Sequence, residues 1–124
     1  MVGRDVLFNF PPVTKAPGGV RMKMENLSAV NDKGVTALKN FSLDLREGEI
    51  VGLAGVDGNG QKELCEVLTG LRPRSGGRML LDGEDITAQN PLFYIRHHIS
   101  HIPEDRHATG LAMNWSLKNN LILK

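Results

Sequence analysis

The sequence predicts an α/β fold in which an antiparallel β portion precedes a buried strand, a glycine-rich turn and a helix. Residues 50–54 form a short apolar run without alternation, which is typical of a strand buried on both faces. A turn with glycines at 55, 58 and 60 comes next. From Gln61 to Leu71 apolar residues recur at helical spacing, and Gly70 and Pro73 are typical stop signals. The rest of the chain is arranged around this strand, turn and helix.

Composition narrows the class of protein. The 124 residues are 40% apolar and 23% charged, with a net charge of +1. This balance gives no electrostatic reason to expect nucleic-acid binding. No apolar run approaches the roughly twenty residues that a membrane span requires, so we expect no direct membrane insertion. Cys65 is the single cysteine, which fits a reducing cytoplasm, and its position between Leu64 and Leu68 predicts burial in the helix interface.

The segments before the central unit contain a connector and two strands. Residues 1–19 hold three prolines and predict a linker. Residues 20–24 alternate between apolar and polar side chains, which indicates an edge-type strand. Residues 31–34 predict a turn, and residues 41–45 alternate again as a half-buried strand.

Shorter elements come after the helix. Residues 78–81 predict a strand that ends in Asp82-Gly83, a strong hairpin-turn pair. Asn90 is expected to cap a short helix that Pro91 begins. Residues 99–102 predict a further strand, and Ser116 can cap a last helix.

Two groups of side chains after the helix have competing interpretations. Arg72 and Arg74 could reach a phosphate, although solvated loop charges are commoner. His97, His98 and His101 are close in sequence, but they span an element boundary and no cysteine assists them. We therefore favour surface or hydrogen-bonded histidines over a metal site.

The glycine-rich turn is the main candidate for function. Gly55 and Gly60 have the spacing of a P-loop, but Gln61 stands where that motif has lysine and Lys62 where it has serine or threonine. Glycines let backbone N–H groups converge on an anion at a helix N-terminus, although tight turns also need glycine. A phosphate site and a structural turn both stay open. The candidate binding residues are Gly55, Asp57, Gly58, Asn59, Gly60, Gln61, Lys62 and Glu63.

The flanking residues resemble a known family. Residues 35–55 are similar to the approach to the Walker A loop in ABC-type ATPases, and residues 68–86 are similar to the segment after that loop. Gly-Val-Asp-Gly-Asn-Gly-Gln at 55–61, together with Ile-Pro-Glu-Asp-Arg-His at 102–107, resembles the second nucleotide-binding domain of ATPase subunits that serve bacterial nucleoside and simple-sugar importers. The resemblance implies a partial P-loop NTPase-like ABC ATPase core.

The resemblance also implies boundaries, cofactors and partners. Residues 20–124 would be the N-terminal part of the domain, without signature loop or Walker B, and residues 1–19 the end of an inter-domain linker. The cofactors implied are ATP and Mg²⁺, bound weakly or not at all by this fragment. Partners would be a companion nucleotide-binding domain and transmembrane permease subunits, at the cytoplasmic face of the cell membrane. Such an intact protein would be a transport ATPase.

Three departures from the family pattern bear on activity. The position of the family's adenine-stacking aromatic holds Val30 or Asn31. Glu104 stands where the Q-loop glutamine contacts magnesium; its carboxylate can ligate the metal or be exposed loop charge. Gln61 brings no charge, and we expect Lys62, about 100° further around the helix, to point away from bound phosphates.

These departures predict weak binding and no hydrolysis by this chain, with no residue assigned as catalytic. The alternative from another class is a non-catalytic dimerisation or regulatory module with a purely structural glycine loop. A DNA-repair ATPase is less favoured, because it would call for the intact lysine.

Overall fold

The computed structural model describes residues 16–123, so the predicted linker at 1–19 lies largely outside the described residues. The strands are β1 (Val20–Val30), β2 (Thr36–Arg46), β3 (Gly76–Leu81) and β4 (Glu84–Asp85). The helices are α1 (Gln61–Leu68), α2 (Pro91–Arg96) and α3 (Leu117–Leu121), and Arg106–Gly110 forms one π-helical turn. None of the helices within residues 16–123 is long and apolar enough to cross a membrane.

The strands form one antiparallel sheet in the order β2-β1-β3-β4. β1 therefore lies inside the sheet, and the prediction of an edge strand at residues 20–24 is wrong. Alternation reports which face of a strand is buried, not how many neighbours it has. The half-buried strand at 41–45 is confirmed, because Phe41, Leu43 and Leu45 pack on the core while Ser42 and Asp44 are exposed.

An Asn-x-Ser segment in β1, residues 26–28, and another in β2, residues 40–42, form hydrogen bonds with each other where the register of the β1–β2 ladder shifts. Asn26 and Asn40 have positive φ angles of 52° and 50°. The N–H of Asn26 donates to Ser42 Oγ at 2.9 Å, and the N–H of Asn40 donates to Ser28 Oγ at 3.0 Å. The two serine hydroxyls thus satisfy backbone donors that the ladder leaves unpaired where its register shifts.

Both predicted turns are confirmed. In the β1–β2 turn, Asn31 Oδ1 accepts from the N–H groups of Lys33 and Val35, each at 3.0 Å. In the β3–β4 turn, Asp82 and Gly83 have φ angles of 51° and 87°, as a type I′ hairpin requires.

The predicted helix caps are also confirmed. Asn90 Oδ1 accepts from the N–H of Phe93 at the start of α2, and Ser116 Oγ accepts from the N–H of Asn119 at the start of α3. α1 begins at Gln61 as predicted, and after Leu68 the chain turns at Gly70 with a φ of 72°.

The core lies between one face of the sheet and helices α1 and α2. Its buried apolar side chains are Met22, Met24, Leu27, Ala29, Leu38, Leu64, Val67, Met79, Ile86 and Tyr94. The buried face of α1 is formed by Glu63, Leu64 and Val67. Cys65 is exposed, so the predicted burial of this residue is wrong. One position after Leu64, its side chain is rotated by about 100° away from the sheet.

Two predicted strands do not form. Residues 50–54 and 99–102 have no ladder hydrogen bonds among the described residues, and Ile50 and Ile102 are 98% and 87% exposed. A strand buried on both faces needs neighbouring strands to pair its backbone and layers to cover its side chains. No strand within residues 16–123 pairs with either segment, so the apolar runs stay as loops.

Candidate functional site

The glycine-rich turn rests directly on the backbone of β2. Gly58 and Gly60 have positive φ angles of 81° and 96°. A Cβ on Gly60 would lie 2.5 Å from the carbonyl oxygen of Ala37, which is closer than a Cβ atom can approach. Gly60 is therefore required both for its dihedral angles and for its contact with the sheet, and this contact fixes the position of the loop.

The N-terminus of α1 offers unsatisfied donors to this loop. Gly60 is the N-cap, and no side chain caps the helix. The backbone N–H groups of Gln61, Lys62 and Glu63 have no acceptor among residues 16–123, whereas the N–H of Leu64 donates to Gly60 O at 2.8 Å. Free N–H groups and the positive end of the helix dipole favour an anion at this point.

Gln61 folds back over the loop. Its Nε2 donates to the carbonyl oxygen of Val56 at 3.2 Å. Its amide also lies so close to Gly55 that a Cβ at position 55 would collide with it. The glutamine therefore closes the loop with a neutral hydrogen bond, in the place where a P-loop has a charged lysine.

Lys62 turns to the other side of the helix. Its Nζ lies 3.4 Å from Asp32 Oδ2 on the β1–β2 turn and 3.9 Å from Glu66 Oε1. This agrees with the expected rotation away from the loop. Hydrogen bonding from Arg72, aided by the charges of Arg72 and Lys62, holds the pKa of Asp32 below its usual range.

A concavity of about 390 Å³ brings most of the predicted residues together. Seven of the eight candidate loop residues line it together with Glu104, and Asn59 does not line it. The lining residues are Leu53, Gly55, Asp57, Gly58, Gly60, Gln61, Lys62, Glu63 and Glu104. Glu63 is only 9% exposed, and its carboxylate has no hydrogen-bond or ion-pair partner among residues 16–123. Three acidic residues and Lys62 are therefore among the residues that line this space, although Asp32 and Glu66 hold the ammonium of Lys62.

Arg72 and Arg74, which the sequence suggested as possible phosphate contacts, both bind other groups of the protein. Arg72 binds the carboxylates of Asp32 and Glu66. Arg74 donates to the carbonyl oxygens of Thr87 and Gly77, at 3.3 Å and 2.6 Å. Arg72 therefore links α1 to the β1–β2 turn, and Arg74 links the loop after β4 to β3, so the description of them as solvated loop charges is wrong as well.

The histidines and the adenine position offer no ligand site. Within residues 16–123 no group of three His, Cys, Asp or Glu side chains is arranged to hold a metal ion. His97 stacks on Phe93 with ring centroids 3.9 Å apart, and its Nδ1 lies 2.8 Å from Phe93 O. The carbonyl of Val30 accepts from Arg72, and Asn31 shapes the turn. Neither residue offers a ring to a nucleotide base.

Sequence reasoning missed the carboxylates that hold Lys62. Glu66 could have been found, since it lies four residues after Lys62 on the helix. Asp32 could not, because only the packing of the β1–β2 turn against α1 brings it within 3.4 Å.

Comparison with known proteins identifies the family. The ABC transporter family model matches residues 38–120. The chain is 46% identical over all 124 residues to the glucose import ATP-binding protein TsgD13 of Haloferax volcanii. It is 38% identical to the guanosine import ATP-binding protein NupO of Bacillus subtilis and 40% identical to the nucleoside import ATP-binding protein NupA of Lactococcus lactis. The chain spans 22% to 24% of the length of these relatives.

Solved structures support the same assignment. A nucleotide-free ATP-binding cassette of an ABC transporter superposes with a TM-score of 0.59 at 24% identity, covering 64% of this chain and 31% of the cassette. The cbiO1 subunit of an ABC transporter from Clostridium perfringens gives 0.54 at 27% identity, covering 62% and 31%. The chain belongs to the ABC transporter family, and its α/β fold is part of the P-loop NTPase-like ABC ATPase core, as the sequence predicted.

Proposed function

We propose that this chain is part of the ATP-binding subunit of an ABC importer for nucleosides or simple sugars. The single observation that carries the proposal is the concavity that Glu104 lines together with the glycine loop and residues 61–63, whose N–H groups have no acceptor among residues 16–123. The names of the relatives and the resemblance of residues 55–61 and 102–107 support the substrate class. On this proposal, residues 20–124 are the N-terminal part of the second nucleotide-binding domain, and residues 1–19 are a linker.

The proposed partners derive from that role. A companion nucleotide-binding domain and transmembrane permease subunits would complete the transporter, with this chain at the inner face of the cell membrane. ATP binding by the chain would be coupled to transport through these partners.

The glycine loop would bind the phosphates mainly through its backbone. The N–H groups of residues 61–63 provide the donors, and Gln61 can add one neutral hydrogen bond. A charge-assisted contact is worth about 1.5–3 kcal/mol, so a loop without the P-loop lysine binds about ten- to a hundredfold more weakly. The proposed site is a degenerate Walker A loop.

Glu104 is the residue of the concavity that would contact Mg²⁺. Its carboxylate supplies one oxygen ligand, and proteins bind this cation through one or two carboxylates together with the phosphates of a nucleotide. Residues 16–123 contain no group of three acidic, His or Cys side chains that could hold the ion by themselves, so Mg²⁺ would enter with the nucleotide and neutralise phosphate charge next to Glu104. Phosphoryl transfer depends on positioned charges, and the lysine is missing. We therefore expect no measurable hydrolysis by this chain.

Dependence on magnesium tests the proposal. We expect ATP to bind weakly without a divalent cation and more tightly with Mg²⁺, because Glu104 and two further acidic residues line the concavity and their charges repel phosphate. Glu104→Gln removes one of these charges, so ATP without metal should bind about fivefold more tightly and the gain from Mg²⁺ should shrink. Isothermal calorimetry with and without Mg²⁺ measures both effects.

Glu84→Gln is the matched control, since Glu84 is an exposed carboxylate outside the concavity. If the two substitutions change ATP binding equally, Glu104 does not belong to the binding site. Failure of ATP to bind with or without Mg²⁺ would contradict the proposed function.

One observation favours the second candidate, a non-catalytic interaction module. The loop is already closed by its own contacts, through Gln61 on Val56 and Gly60 on Ala37. A structural turn needs no ligand to hold such a conformation. The two functions differ in nucleotide binding, which only the first requires.

A further inference from the structure

Four charged side chains meet where the β1–β2 turn contacts α1. Arg72 contacts Asp32 Oδ1 through its Nη2 and Glu66 Oε2 through its Nε, each at 2.6 Å. Lys62 Nζ lies near the same two carboxylates, at 3.4 Å and 3.9 Å. Two cations thus share two carboxylates, but their contacts are unequal.

Arg72 contacts one oxygen of each carboxylate, at shorter distances than Lys62 contacts the other. Its side chain is only 13% exposed, and its Nη1 also donates to Val30 O at 2.9 Å. Asp32 and Glu66 raise the pKa of its guanidinium, which stays charged. The side chain of Lys62 is 53% exposed and makes the two longer contacts. Lys62 can therefore leave the cluster without stranding a buried charge, at the small cost of an exposed ion pair.

Lys62 also belongs to the concavity at the glycine loop. Among the described residues that line that space it is the only cationic one; the other charged residues there are Asp57, Glu63 and Glu104. Lys62 lies in the first turn of α1, where side-chain stems lean toward the helix N-terminus. Its flexible four-carbon stem can therefore carry the ammonium toward the free N–H groups.

The helix dipole determines when this movement is favourable. A cation is disfavoured at a helix N-terminus, so the carboxylates of Asp32 and Glu66 hold Lys62 while the loop is empty. A phosphate bound there reverses the sign of the local potential and offers a charge-assisted hydrogen bond.

We infer that Lys62 is a phosphate-contacting residue that Asp32 and Glu66 hold aside in the ligand-free chain, and that a bound phosphate draws its ammonium to the glycine loop. This inference rests on the proposed function, since it needs an anion at the loop. Lys62 would then partly replace the lysine that is missing at position 61. Because Asp32 competes with the phosphate for the ammonium, the gain in phosphate affinity is limited.

A double-mutant cycle on Lys62 and Asp32 tests the inference, with Mg-ADP as the probe and calorimetry as the measurement. Lys62→Met keeps the stem and removes the charge, and it should raise the Kd about tenfold. Asp32→Asn should lower the Kd about twofold to fivefold, because it weakens the hold on Lys62. In the Lys62→Met background, Asp32→Asn should have no effect.

Lys33→Met is the matched control, because Lys33 is an exposed lysine on the same turn and lies outside the concavity. If Lys62→Met and Lys33→Met change the Kd equally, Lys62 is a surface ion pair and the inference is wrong, while the loop keeps its binding role. If the unaltered chain does not bind Mg-ADP, the proposed function and the inference both fail.

A measurement on the unaltered chain removes any dependence on mutant folding. The ¹⁵N resonance of Lys62 Nζ should shift when Mg-ADP is added, and that of Lys33 should not. An unchanged Lys62 resonance at saturating Mg-ADP would overturn the inference.

Discussion

Replacing Gly60 with alanine should destabilise the chain by about 2–4 kcal/mol and displace the glycine loop. The residue has a φ of 96°, which an alanine adopts only with strain. Its new Cβ would also meet the carbonyl oxygen of Ala37 at 2.5 Å, and a strand backbone cannot give way as a flexible side chain can. The backbone strain and the collision both lower the free energy of unfolding, so this loss of stability should be among the largest for any single substitution in the chain.

Gly58→Ala separates the two causes. Gly58 has a similar positive φ of 81°, but a Cβ there would meet nothing within 4 Å. This variant should lose only about 1 kcal/mol, from backbone strain alone. Urea unfolding followed by circular dichroism compares the two variants. Equal losses would show that Gly60 does not rest on β2 as described.

The largest change in binding is expected from the double substitution Gln61→Lys with Lys62→Ser. It moves the positive charge from the β1–β2 turn to the loop and leaves the net charge unchanged. A lysine at position 61 would replace the neutral contact of Gln61 with Val56 by a charge-assisted bond to phosphate. We expect the double variant to bind Mg-ATP about tenfold or more tightly than Lys62→Ser alone, which has no lysine at either position.

Gln61→Met is the control for this experiment, since it removes the hydrogen bond to Val56 without adding charge. It should not raise the affinity. If the double variant stays folded and binds no better than Lys62→Ser alone, the glycine turn is not a phosphate site. The interaction module would then be the better explanation.

Elements specified by neighbouring residues were predictable from the sequence. The Asp82-Gly83 turn, the Asn90 cap and the start of α1 at Gln61 each depend on local backbone chemistry, and the structure confirms them. The alternation at residues 41–45 also identified the half-buried strand, because one face of β2 packs on the core.

Features that depend on distant partners were not predictable. The run at 50–54 is typical of a buried strand, but pairing requires a neighbour that residues 16–123 do not supply. The exposure of Cys65 depends on which face of α1 meets the sheet. The contact of Lys62 with Asp32 joins residues 30 positions apart, and nothing in the local sequence signals it.

The candidate site likewise has features that the sequence predicted and features that depend on distant partners. The glycine spacing predicted the loop and its helix, and the resemblance placed Glu104 beside them. The concavity brings Glu104 and the loop together. The burial of Glu63 could not be foreseen, because a charged residue in the first turn of a helix is usually solvated.

The most direct test is an NMR titration of the ¹⁵N-labelled chain with Mg-ATP, in which the backbone amides are measured one by one. We expect progressive shifts of the amides of Gln61, Lys62 and Glu63, whose N–H groups lack acceptors among the described residues. The amides of Asp82 and Gly83, in the distant hairpin turn, should stay unchanged. Shifts confined to other segments, or none at millimolar Mg-ATP, would contradict a phosphate site at this loop.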